Sequence, residues 1–215
     1  MVKKLAKQII GSMGFELSRF SESEKKVAEE FEWDLELFAY KDFQVARGIA
    51  YSGLMTVDEA RFLSTLVQRT SEEDPIIEIG TLFGFSTMVV TINKSKAQKL
   101  ITVDNYSWNP HNISPVAHKL ATASRLQDAS SNHNVEILNK SKNDFYNEYS
   151  GPIPGLFFCD ANHEYESTLD DLRWARQVGA KIICGHDYKS KFPGVKKAVK
   201  EFGGPSELVG SLFVL

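Results

Sequence analysis

The sequence predicts an α/β protein built on an open, mostly parallel sheet with helices on both faces. Three observations predict it. From Pro75 onward, five short apolar runs alternate with segments long enough to be crossover helices, the pattern of strands buried on both faces. The first run leads straight into a glycine turn and a helix start, the strand-turn-helix unit of such sheets. Two further runs, at residues 207–209 and 211–215, lie so close in sequence that only a hairpin joins them.

Taken in order, residues 1 to about 70 read as a helical cap or lid ahead of a domain spanning 71–215. Leu5, Ile9, Ile10, Met13 and Leu17 recur at mixed three- and four-residue spacings, with Lys3, Lys4, Lys7 and Arg19 around them, so residues 3–20 form an amphipathic pattern. Such a helix either covers its own domain, the commoner use, or docks peripherally on a membrane or a partner. Residues 22–30 are highly charged, and residues 31–43 are rich in Trp and Phe. A helix follows over Val57–Gln68, where Thr56 serves as N-cap and Glu59 stands three residues on. The strands fall at 76–79, 100–103, 135–138, 155–159 and 181–184. A helix continues from the glycine turn through 88–92, and another spans 193–202.

With 215 residues, 42% of them hydrophobic, the chain is long enough for one substantial core. Twenty-five basic against twenty-eight acidic residues give a net charge of −3. That balance supplies no broad positive field for sequence-independent binding, so nucleic acid is not an expected partner. Cys159 and Cys184 each end an apolar run, as small buried thiols do, and no disulfide framework or zinc motif is readable. There is no apolar stretch of the ~20 residues a transmembrane helix needs, and no signal-peptide pattern, so a cytoplasmic location is expected. Oligomeric state has no signature here, and an oligomer is compatible with the sequence.

The first strand runs into Glu78-Ile79-Gly80-Thr81-Leu82-Phe83-Gly84-Phe85-Ser86-Thr87. In an open α/β sheet, ligands bind at the carboxyl ends of the strands, where glycines allow close backbone approach and a helix N-terminus offers free N–H groups. Leu82 stands where a dinucleotide fold has its middle glycine, which disfavours a pyrophosphate cradle and a nicotinamide dehydrogenase. The bland alternative is a tight connection whose glycines serve backbone geometry alone. Asp104 ends the second strand ~20 residues on, where such folds bind ribose hydroxyls; Asp is also an ordinary turn residue at that place. Tyr106 and Trp108 suit stacking on a purine, walling an acceptor pocket, or plain packing.

The spacing of Glu78, Gly80, Gly84 and Ser86 resembles the turn of small-molecule O-methyltransferases, which lies against the methionine part of S-adenosylmethionine (SAM). The resemblance implies a class I methyltransferase fold with a seven-stranded sheet, its last strand inserted antiparallel. It also implies SAM contacts from Glu78, Gly80, Thr81, Gly84, Ser86, Thr87, Asp104 and Asp160, with Ser141, ahead of Asp144, at the adenine edge. The run from Asp160 through His163 to Tyr165-Glu166-Ser167-Thr168, followed by Gly185-His186-Asp187-Tyr188, is similar to metal-dependent sugar O-methyltransferases of macrolide and aminocoumarin biosynthesis. It is equally similar to their relatives in bacterial polysaccharide clusters. The likeness covers roughly residues 75–215.

In those enzymes three acids after the fourth and fifth strands hold a divalent cation, which here implies Asp160, His186 and Asp187. His186 departs from the usual acid, which disfavours Mg²⁺, an ion that prefers oxygen ligands, and suits Mn²⁺ or Zn²⁺ better. Asn162 stands where the family often carries a base, so His163 is the nearest replacement, since histidine accepts protons near neutral pH; capping the next helix or simple exposure is its alternative. His111, His118 and His133 read as surface residues. The expected catalytic set is Asp160, His163 and Asp187, acting on a hydroxyl of a small or sugar-like acceptor. Rival readings are a hydroxylase-like relative of the same fold and a non-catalytic SAM-binding module.

Overall fold

The computed structural model describes residues 54–108 and 111–215. The amphipathic segment 3–20, the charged and aromatic stretches after it and most of the expected cap lie outside the described residues. The described elements are α1 (Val57–Gln68), β1 (Ile76–Ile79), α2 (Phe85–Asn93), β2 (Leu100–Asp104), α3 (Pro115–Asn132), β3 (Val135–Asn139), α4 (Lys142–Glu148), β4 (Leu156–Cys159), α5 (Tyr165–Gln177), β5 (Ile182–Gly185), α6 (Pro193–Glu201), β6 (Glu207–Val209) and β7 (Leu212–Val214).

Successive side chains of a strand point to opposite faces, and here both faces are covered. Ile76 packs with Leu100, Leu156 and Phe158 against Leu63 and Leu66 of α1, Val90 of α2 and Ala129 of α3. Ile77 and Ile79 face the other way, with Ile101, Val103 and Phe157 beneath Phe145 of α4 and Ala175 of α5. This double coverage explains why the strands read as continuous apolar runs rather than alternating ones. α1 is part of this core. Its start is the capping box expected from sequence: Thr56 Oγ1 accepts from Glu59 N at 3.3 Å, and Glu59 Oε2 accepts from Thr56 N at 2.8 Å.

The seven strands lie in the order β3-β2-β1-β4-β5-β7-β6. β1 pairs in parallel with both β2 and β4, and β7 runs antiparallel to β5 and β6, so the C-terminal hairpin inserts as expected. The chain winds outward from β1 to β3 and then returns to β4, which places the topological switch between β1 and β4. Such a switch leaves a crevice outside the carboxyl ends of the strands. No helix among the described residues is long and apolar enough to cross a membrane.

Candidate active site

A cavity of about 810 Å³ opens at that crevice, lined by the loops after β1, β2, β3, β4 and β5. Of the residues singled out from sequence, Gly80, Thr81, Ser86, Asp104, Ser141, Asp160, His163, His186 and Asp187 line it. Glu78, Gly84 and Thr87 stand behind it.

The glycine turn is built from the inside. Glu78 is fully buried and accepts hydrogen bonds from Ser86 Oγ at 2.5 Å, Thr87 Oγ1 at 2.5 Å and Thr102 Oγ1 at 2.6 Å. Burial raises its pKa, and the three hydroxyls oppose that rise. Its carboxyl group ties the turn and the start of α2 to β2, and its oxygens face these hydroxyls. Gly80 has φ +101°, and a Cβ there would overlap the Asp160 carbonyl, so glycine is required where the β1 and β4 loops touch. Gly84, at φ +76°, is the N-cap of α2, and a Cβ on it would press on Leu126.

Leu82, at the place of a middle glycine, adopts φ +46°, a left-handed conformation costly for a branched residue. Its N–H donates to Asp104 Oδ2 at 2.8 Å, and its carbonyl accepts from Thr122 Oγ1 at 2.5 Å and faces His118 Nε2 at 3.0 Å. His118 corrects the surface reading: it is 1% exposed, because α3 folds over the turn and packs it against Phe83 and Tyr106. Burial holds its pKa down, against the opposing pull of Asp104 and the Leu82 carbonyl, which favours the neutral ring. The proton sits on Nε2, the nitrogen facing the carbonyl, and Nδ1 is left without a partner. His111 is exposed at the cavity wall and His133 is half-buried.

Asp104 faces the cavity with each carboxylate oxygen accepting one backbone N–H, from Leu82 and from Tyr106 at 2.7 Å. Lone pairs on both oxygens remain for further donors. Tyr106 is 3% exposed and belongs to the packing, whereas Trp108 is exposed and lines the cavity. Ser141 is the N-cap of α4, accepting from Asp144 N and donating to Asp144 Oδ2 at 2.7 Å. Beside it, Lys142 donates to Ser167 O and Oγ, both at 2.6 Å, and pairs with the fully buried Asp171. Asp171 also accepts from Tyr146 Oη at 2.8 Å and Cys159 Sγ at 3.3 Å. This pair, which carried no readable signal, fixes the β3 loop to α5.

On the opposite wall, His163 Nε2 lies 2.5 Å from Asp187 Oδ2. The imidazole stacks on Phe192, centroids 4.0 Å apart, with the Trp108 edge at 5.7 Å. Glu164, not His163, is the N-cap of α5, and the His163 side chain is only 16% exposed, so neither alternative reading of this histidine describes it. Asp187 has φ +63° and also pairs with Lys189. Burial alone would raise its pKa, but hydrogen bonds from His163 and Lys189 and the nearby His186 bring it below the ordinary carboxylate value. Asp160 goes the other way: burial, then the charges of Asp187 and Glu78, push it well above the usual range. Two neighbouring carboxyls are thereby driven apart, one toward the anion and one toward the acid. Ligand atoms of Asp160, His163 and Asp187 lie within 4.8 Å of one another. His186 is 4% exposed and faces the same pair from the interior, Nδ1 3.4 Å from Asp187 Oδ1 and 3.8 Å from Asp160 Oδ2.

The comparisons with known proteins agree with this architecture. A family model described as a methyltransferase domain matches residues 77–188, from β1 to just past β5. No curated protein matches the chain. Among solved structures, cofactor-bound Rv0187 from MTB is 18% identical over 93% of this chain and 96% of its own, with a TM-score of 0.58. An O-methyltransferase from Bacillus cereus in complex with SAH, the demethylated form of SAM, is 16% identical over 100% and 97%, with a TM-score of 0.57. The O-methyltransferase TomG from Streptomyces achromogenes, involved in tomaymycin synthesis and in complex with SAM, is 18% identical over 100% and 96%, with a TM-score of 0.51. With a class I methyltransferase sheet order and a profile that spans the glycine turn, Asp104, Asp160 and Asp187, the chain belongs to the methyltransferase-domain family.

Proposed function

We propose that the protein is a SAM-dependent O-methyltransferase that acts on a hydroxyl of a small or sugar-like acceptor. One observation carries this reading: a single cavity brings the glycine turn and Asp104 on one wall together with the His163–Asp187 pair on the other. Its volume suits a nucleoside and a small second molecule. Similarity to O-methyltransferase structures solved with SAM or SAH supports the choice of cofactor and of oxygen as nucleophile.

In this reading, the Gly80–Leu82 backbone and Ser86 receive the amino-acid part of the cofactor, Asp104 accepts from the ribose hydroxyls, and the Ser141 loop meets the adenine. Bound SAM supplies a methyl group on a sulfonium, a leaving group that needs no activation. The protein's tasks are to hold the acceptor oxygen in line and to remove its proton. His163 is placed for the second task, with Asp187 fixing the ring. Trp108 and Phe192 keep that ring oriented and partly shielded from water.

Asp160, His163 and Asp187 also fit a divalent cation, two carboxylate oxygens and one imidazole nitrogen being a set that suits Mn²⁺ or Zn²⁺ better than Mg²⁺. This set exchanges His186 for His163 relative to the ligands implied by resemblance. An ion held there would lower the pKa of the acceptor hydroxyl.

Calorimetric titration with SAM and SAH, with and without Mn²⁺ or Mg²⁺, tests the reading. Micromolar SAH affinity is expected, retained in Asp160→Ala and Asp187→Ala while methyl transfer is lost. Absence of SAM and SAH binding under every metal condition would overturn it.

A further inference from the structure

Behind the acid pair lies a chain of buried polar groups that the proposed reaction does not use. Glu59, from α1, is 3% exposed, yet burial is outweighed by hydrogen bonds from Ser211 and Thr56, which hold its pKa at about 2. It is a buried carboxylate, ionised at neutral pH. Its Oε2 accepts from Thr56 N and Oγ1, both at 2.8 Å. Its Oε1 accepts from Ser211 N at 2.6 Å and from Ser211 Oγ at 2.8 Å. His186 Nε2 lies 3.1 Å from Ser211 Oγ and 3.4 Å from Glu59 Oε1.

Hydrogen-bond accounting then fixes the histidine. An ionised carboxylate only accepts, and a serine hydroxyl has one proton to give. Ser211 gives that proton to Glu59, so both atoms that face His186 Nε2 are acceptors. Nε2 is therefore the nitrogen that donates toward Ser211 and Glu59, and Nδ1 lies toward Asp160 and Asp187.

We propose that Glu59 and Ser211 are positioning residues that lock the orientation of His186 by accepting from its Nε2, so that its Nδ1 is presented to the Asp160–Asp187 pair. The device spans three parts of the fold that are remote in sequence: the first turn of α1, the end of β5 and the β6–β7 turn. Gly210 belongs to it, since a Cβ there would strike Glu59 Oε1. The consequence for the methyl-transfer site is that a helix outside the cavity determines which face of an imidazole the acids meet. The functional meaning rests on the proposed O-methyltransferase reading, but the orientation of the ring does not.

The test is a histidine ring ¹⁵N correlation spectrum of the full-length protein at fixed neutral pH, run beside SAH titration. His186→Gln assigns the resonance by its loss. In the wild type the expected signature is a protonated Nε2 with a slowly exchanging proton. In Ser211→Ala that proton exchanges at least tenfold faster, while SAH affinity stays within twofold; Ser211→Thr, which keeps the hydroxyl, restores slow exchange. A bare Nε2 in the wild type overturns the proposal without any variant, and so does unchanged exchange in Ser211→Ala. Failure of the wild type to bind SAH refutes the cofactor reading and leaves the histidine result to be judged separately.

Discussion

His163 Nε2 stands 2.5 Å from Asp187 Oδ2 across the mouth of the cavity, joining the loop after β4 to the loop after β5. The pair exists because β4 and β5 are parallel neighbours in register, Cys159 opposite Gly185, so that residues just beyond both strands emerge side by side. In the proposed reaction, proton removal is organised around it.

His163→Ala is expected to lower the methyl-transfer rate roughly 10²–10⁴-fold, the usual worth of a positioned base, with SAH affinity unchanged. Asp187→Asn should fall in the same direction, because the ring loses its anionic partner. The measurement is turnover of any hydroxyl acceptor found by screening, alongside calorimetry; equal loss of SAH binding would place these residues in the nucleoside site instead.

Glu59 predicts a pH dependence of stability. Its pKa falls from 4.5 to about 2 on folding, so the folded protein binds this proton more weakly than the unfolded chain. The resulting stabilisation, on the order of 3 kcal/mol, is fully present above pH 4.5 and is lost as pH falls toward 2. The difference in denaturant stability between wild type and Glu59→Gln should therefore be large at pH 7 and shrink between pH 4.5 and 2.

Removing Lys142 leaves Asp171 buried without its cation. Lys142→Met should destabilise the protein by roughly 3–5 kcal/mol, the cost of breaking a buried pair, and weaken SAH through the freed Ser141 loop. Lys142→Met combined with Asp171→Leu should recover most of the stability, as measured by denaturant midpoints.

His118 and Thr122 together hold the Leu82 carbonyl. His118→Leu removes one hydrogen bond, worth about 1 kcal/mol, and relaxes the left-handed turn. SAH affinity should drop roughly fivefold by calorimetry, with circular dichroism unchanged. A gain in stability would accord with the unpartnered Nδ1 of the native ring.

At Glu78, truncation to Ala strands the hydroxyls of Ser86, Thr87 and Thr102, so a loss of about 3 kcal/mol or more is expected. Because burial favours the uncharged carboxyl, Glu78→Gln should be much milder. Urea denaturation of the two variants checks the contrast.

The sequence by itself determined what short-range physics controls. Apolar runs of strand length alternating with helical segments specified the parallel sheet, since both its faces are buried. The Thr56–Glu59 capping box, the glycines that need positive φ and the carboxylate ending β2 were readable because each is set by residues within a few positions. Resemblance added the antiparallel hairpin and brought Asp160, His163 and Asp187 into consideration.

Tertiary structure alone decided the partnerships. Glu59 and Ser211 are 152 residues apart, and Lys142 and Asp171 are 29 apart; no periodicity encodes either contact. His118 looked like a surface residue because its neighbours in sequence are polar, yet α3 buries it over Leu82. His163 completes the trio with Asp160 and Asp187 whose ligand atoms lie within 4.8 Å of one another, while His186 stands between the two acids and Glu59. The physical reason is common to all four: hydrophobic patterning selects elements and their faces, but which side chains meet depends on strand order and register. Those emerge only when the whole sheet is assembled.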